Sequence, residues 1–255
     1  MTDFQRRSLV GAGLIAVAAA CLWAGGLAFW VLVSIVALFM MAEWAELHDT
    51  VPRLKRLGQF ALSVPLAIMG PIAAGPSPFA LGLVAGAAFF IAAVSRRSAL
   101  GWGVVYVGLP AFALVLLRGA DDGLLLAFWA MGLVWATDIG AYFAGRTIGG
   151  PKLAPQVSPN KTWAGLAGGV LAATLFGFVL HTQAWLPFRL ALVTPLLAVL
   201  AQGGDLYESW LKRRAGVKDS GNVLPGHGGV LDRLDGLVPV APIAALIVEM
   251  PRWLA

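Results

Sequence analysis

Residues 124–146 read LLLAFWAMGLVWATDIGAYFAGR, and from Leu124 to Ala144 the only charge is Asp138. About twenty apolar residues at about 1.5 Å of rise each cross a hydrocarbon layer of about 30 Å, so this stretch predicts a membrane-spanning helix. The same texture repeats outward in both directions. Spans are expected at Leu9 to Trp23, Gly26 to Met41, Phe60 to Ala74, Phe79 to Val94, Leu100 to Leu117, Trp163 to His181, Pro187 to Ala201 and Gly236 to Val248. With the first, these describe a polytopic integral membrane protein of about nine transmembrane helices. Composition agrees: 59% of residues are apolar and 12% charged, and mean hydropathy is +0.82, far above that of soluble domains.

Arg6-Arg7 before an apolar run, with Ala18-Ala19-Ala20-Cys21 after it, has the outline of a signal peptide. Apolar sequence resumes at once through Leu27 to Met41, so the run is taken as a span. Cys21 is the single cysteine, which rules out an internal disulfide and leaves packing as its role.

Cation placement sets the orientation. With a cytoplasmic N-terminus, fifteen of the 18 Lys and Arg residues fall inside, and Arg118, Arg189 and Arg252 fall outside. That asymmetry accounts for the net charge of +5 without nucleic-acid binding, so no nucleic-acid partner is expected. It orients the functional face toward the cytoplasm, where inner charge attracts anionic head groups and phosphorylated ligands, and the expected location is a bacterial inner membrane.

Two regions differ in character. Residues 1–118 read as a transmembrane scaffold, with Gly82 and Gly86 spaced for close helix packing. Glu43, Glu46, His48 and Asp49 lie where a span leaves the membrane, and interfacial solvation explains them better than a metal cluster. Residues 119–255 carry the chemistry. Asp138, inside an apolar helix, requires a partner or a water-filled cavity, and Tyr142 lies one turn on along the same face. Ser158, Asn160, Lys161 and Thr162 stand at an expected helix start, where backbone donors, hydroxyls and an ammonium can hold phosphate. Helix capping with a solvated Lys161 explains these four equally well.

The densest charge is at residues 209–235, SWLKRRAGVKDSGNVLPGHGGVLDRLD. Charges at membrane depth cost about 2.5 to 3.5 kcal/mol each, so such a cluster points to a site for ionic substrates or metal. Asp205, Glu208 and Lys212 share one helix face, and Asp232 and Asp235 another. Carboxylates beside phosphate are the donor set Mg²⁺ prefers. Asp205 and Asp232 are the leading metal ligands, with Asp235 a ligand or a supporting acid. Lys212, Arg213, Lys218 and Arg233 are suited to clamp phosphates. His227 is a general base by residue type, but Gly228 and Gly229 after it suggest a backbone that closely approaches a ligand, and hence a positioning role.

Ser209-x-Leu211-Lys212-Arg213, Lys218-Asp219-x-Gly221, Leu224-Pro225-x-His227-Gly228-Gly229 and Asp232-Arg233-Leu234-Asp235 together resemble the diagnostic motif of phosphatidate cytidylyltransferases, also called CDP-diacylglycerol synthases. Asp138-Ile139-Gly140-Ala141-Tyr142, Ser158-Pro159-x-Lys161-Thr162-Trp163 and Gly204-Asp205-Leu206-x-Glu208-Ser209 extend the resemblance from Trp135 to Asp235. One departure is Ala164, where many members have Glu, so no role for that Glu carries over. The resemblance implies an all-α, homodimeric, Mg²⁺-dependent enzyme in contact with membrane lipids, with a second, monovalent cation left open. It also implies the substrates, CTP and phosphatidate, joined to give CDP-diacylglycerol and pyrophosphate. Asp205, Lys212, Arg213, Lys218, Asp219, His227, Asp232 and Arg233 are then the expected catalytic set. Asp138, Tyr142, Ser158, Asn160, Lys161, Thr162, Glu208, Gly228 and Gly229 are the expected substrate-binding set. Two alternatives are a transporter or flippase with Asp138 as its ion site, and a nucleotidyltransferase acting on another lipid phosphate. Against the carrier, no paired halves with interrupted helices are visible.

Overall fold

A computed structural model describes residues 3–223 and 228–254. It is built almost wholly of helices: α1 (Asp3–Ala24), α2 (Gly26–Leu47), α3 (Pro52–Ile68), α4 (Pro78–Ser95), α5 (Ser98–Gly119), α6 (Gly123–Thr147), α7 (Trp163–Ala184), α8 (Phe188–Arg214), α9 (Leu231–Leu234) and α10 (Leu237–Leu254). Among the described residues six, α2, α4, α5, α6, α7 and α8, are long and apolar enough to cross a membrane. The helices α1, α3 and α10 overlap the other three expected spans. In α1 and α10 the apolar portions are shorter, Gly11–Ala24 and Leu237–Met250.

Among the described residues the one sheet is a hairpin of β1 (Lys152–Ala154) and β2 (Ser158–Thr162), paired antiparallel with Lys152 opposite Thr162 and Ala154 opposite Ser158. The helix start expected at residues 158–162 is therefore a strand. Helix α7 begins only at Trp163, and its cap is Thr162, whose hydroxyl accepts the Gly165 N–H at 3.0 Å. Of the four residues read as helix-start chemistry, Thr162 alone holds that place.

The chain divides into two compact units. One comprises Met1–Gly119 with Ala215–Leu234, the other Ala120–Arg214 with Asp235–Ala255. Residues 215–234, the centre of the charged stretch, thus group with the N-terminal helices. In that unit α5 packs through glycines: a Cβ at Gly103 would lie 2.3 Å from Trp44, and one at Gly108 2.9 Å from Val84. Gly82 and Gly86 play no such part, since nothing within the chain comes within 4 Å of a Cβ at either. In the other unit α6 and α7 meet backbone to backbone. A Cβ at Gly168 would lie 2.2 Å from the Ala144 Cβ, and one at Gly140 2.6 Å from the Gly168 carbonyl. Small residues at such seams let helices approach where no hydrophobic drive separates protein from lipid.

Candidate active site

In the unit that contains α6 to α8, the polar cluster gathers where α8 changes from apolar to charged. Its last three turns carry Asp205, Glu208 and Lys212 at spacings that return to one face. Lys161, near the end of β2, reaches this face: its Nζ lies 2.5 Å from Asp205 Oδ2 and donates to Gln202 Oε1 at 3.3 Å. Gln202 in turn donates through Nε2 to Asp138 Oδ1 at 3.4 Å. The intramembrane acid therefore has a partner, and one buried amide connects Asp138 to Lys161 and, through it, to Asp205. Ser209 donates to Asp205 Oδ1 at 3.3 Å. Lys212 Nζ sits 3.1 Å from Glu208 Oε1, and Glu208 is wholly buried.

Asp235, just before α10, completes this group. Its pKa is raised to about 7, chiefly by burial and then by the nearby Asp205 carboxylate. The Gly236 N–H, which donates to Asp235 Oδ1 at 2.7 Å, opposes the rise, Asp138 adds to it and Lys212 opposes it. Carboxylates that repel each other in this way are relieved by a cation. Among the described residues no set of three or more His, Cys, Asp or Glu is arranged as a metal cage. Mg²⁺ needs fewer, since it is commonly held by one or two carboxylates with water and substrate phosphates. Asp205 and Asp235 fit that donor set.

Tyr142 and Arg146 pair with each other: Arg146 Nη1 donates to the Tyr142 hydroxyl at 2.8 Å, and its guanidinium lies 5.9 Å from the ring centroid. Arg213 Nε donates to the Val157 carbonyl at 3.4 Å, tying the end of α8 to the turn before β2. On β2 itself Ser158 is half-buried and Asn160 exposed.

The unit that contains α2 holds the rest of the motif. Asp232 Oδ2 accepts from Ser220 N at 2.9 Å, Ser220 Oγ at 3.0 Å and Gly229 N at 2.8 Å. Lys218, Asp219 and Arg233 are exposed. Gly228 has φ +83°, a left-handed conformation that suits glycine. At Gly229 a Cβ would lie 2.1 Å from Ser220 Oγ and 2.6 Å from Glu43 Oε2. The close approach expected of the glycine pair is thus made at Gly229 by the protein's own side chains. His227 lies outside the described residues.

Glu43 departs most sharply from expectation. Read as an acid at the solvated interface, it is 1% exposed, because backbone donors from a distant part of the chain surround it. Glu46 is half exposed and paired with Lys55, as interfacial solvation requires. Three residues given no role from sequence, Glu43, Gln202 and Ser220, carry much of the hydrogen bonding around the expected site residues. For Gln202 the legible signal is an amide ending the apolar run of α8 just before Asp205. Ser220 stands at an unassigned position between Asp219 and Gly221 and offers no such signal.

The sequence matches the model of the cytidylyltransferase family over residues 5–250. The chain belongs to the cytidylyltransferase family. It is similar to the phosphatidate cytidylyltransferase of Brucella suis biovar 1 (strain 1330), 40% identical over 253 residues that cover 96% of this chain and 93% of that protein. It is also similar to the phosphatidate cytidylyltransferase of Bacillus subtilis (strain 168), 43% identical over 150 residues that cover 57% of this chain and 56% of that protein.

Proposed function

We propose that the protein transfers the cytidylyl group of CTP to phosphatidate, giving CDP-diacylglycerol and pyrophosphate. The observation that carries this reading is the Lys161–Asp205 pair beside Asp235 and Lys212, in a chain that matches the cytidylyltransferase family over most of its length. The choice of phosphatidate rests on the names of the similar proteins.

A phosphate oxygen of phosphatidate attacks the α-phosphorus of CTP. The new P–O bond replaces the bond to the bridging oxygen, and pyrophosphate leaves with that electron pair. A phosphate monoester is largely ionised near neutral pH, its second pKa being about 6, so the nucleophile needs no strong general base. The work left to the protein is positioning and charge neutralisation. Lys161, Lys212, Arg213, Lys218 and Arg233 are the cations suited to it. Asp205 and Asp235 are the carboxylates suited to hold Mg²⁺, which when bound supplies further neutralisation of phosphate charge. The part of Asp232 in holding that ion is an expectation of the sequence pattern. A monovalent second cation, nine spans, a homodimer, an inner-membrane location and a cytoplasmic site belong to the same reading.

The test is incubation of purified protein with phosphatidate, Mg²⁺ and labelled CTP, followed by lipid extraction. Label in the α-phosphate should enter the lipid, and label in the γ-phosphate should leave as pyrophosphate. Lipid labelled from the γ-position would indicate a kinase instead.

A further inference from the structure

We propose that Glu43, on α2, is a positioning residue for the transfer: it holds Ser220 and the backbone at Val230 and Leu231, and through them orients the Asp232 carboxylate. The inference rests on the cytidylyltransferase reading above.

Glu43 is buried, and a buried carboxylate is costly unless its oxygens are matched by donors. Here they are matched. Oε1 accepts the Val230 N–H at 2.8 Å, and Oε2 accepts the Leu231 N–H at 2.7 Å and the Ser220 hydroxyl at 3.1 Å. These donors lie 177 to 188 positions away in sequence. The Ser220 hydroxyl also stands 3.0 Å from Asp232 Oδ2, and its one proton serves one acid at a time. Glu43 and Asp232 are therefore joined through a single side chain.

Two glycines leave room for this carboxylate. A Cβ at Gly221 would lie 2.8 Å from Glu43 Oε1, and one at Gly229 2.6 Å from Oε2. For stability alone a buried carboxylate gains little over an apolar side chain of similar volume. What it supplies here is a fixed backbone from Val230 into α9, on which Asp232 stands.

The test uses the full-length protein in detergent with added lipid, and compares Glu43→Gln, Glu43→Asp and Ser220→Ala. Transfer kinetics, melting temperature and amide exchange at Val230 and Leu231 are measured for each. Glu43→Gln should lower kcat by about tenfold or more with little change in KM for CTP. It should raise exchange at Val230 and Leu231 and leave α5 protected. Glu43→Asp should restore part of kcat. Ser220→Ala, which deletes only the hydroxyl, should lower kcat at an unchanged melting temperature, and should add little in the Glu43→Gln background. The inference is overturned if Ser220→Ala keeps kcat within about twofold of the parent protein. It is also overturned if activity lost in Glu43→Gln only tracks the folded fraction. A parent protein that transfers no label overturns the functional reading as well, whereas an active parent with an equally active Ser220→Ala overturns this inference alone.

Discussion

The ammonium of Lys161, near the end of β2, rests 2.5 Å from Oδ2 of Asp205 on α8. A hairpin residue thus neutralises a carboxylate proposed to hold Mg²⁺, and the two side chains are only partly exposed. Asp205→Asn should reduce turnover by on the order of 100-fold, because the amide keeps the shape and loses the charge. Lys161→Met should also reduce it. The double variant should fall short of the product of the two losses, with a coupling of about 0.5–3 kcal/mol. Independent, fully multiplicative losses would show that the pair is not a functional unit.

Asp235 predicts a pH dependence of stability. Its folded value of about 7 exceeds the ordinary value of about 3.9, so the folded chain holds this proton more tightly than the unfolded chain. The resulting stabilisation is full below about pH 4 and is lost as pH rises through about 7. With divalent metal removed by chelator, Asp235→Asn should melt higher relative to the parent at pH 8 than at pH 5. An equal difference at both pH values would refute the raised value.

The α6–α7 seam predicts a contrast between two glycines. Gly168→Ala forces a Cβ to 2.2 Å from that of Ala144, and overpacking of this kind costs about 1–3 kcal/mol. Gly82→Ala meets nothing within 4 Å and should be neutral or stabilising by up to about 1 kcal/mol. Thermal melting of the two variants in the same detergent decides the matter.

Orientation can be tested by thiol labelling. In a Cys21→Ala background, cysteines placed singly at Pro151 and Val217, both exposed, should react with an impermeant reagent only after cells are opened. Reaction of either one in intact cells would reverse the assignment.

The helical spans and the residues of the charged stretch are legible in the amino-acid order alone, because both are local properties. A run of apolar residues must satisfy its backbone within the helix wherever it sits in lipid, and the motif from Ser209 to Asp235 is contiguous. The partners of those residues are not local, and only folding supplies them. Glu43 looks like any acid at a helix end, until Ser220, Val230 and Leu231, brought from the far end of the chain, bury it. Residues 158–162 carry helix-cap chemistry, yet pairing with Lys152–Ala154 makes them a strand and leaves the cap to Thr162. Gly82 and Gly86 have the spacing of a packing seam, but close helix approaches fall at other glycines, Gly103, Gly140 and Gly168 among them. Spacing names the face of a helix; which partner covers that face is set by contacts between residues distant in sequence.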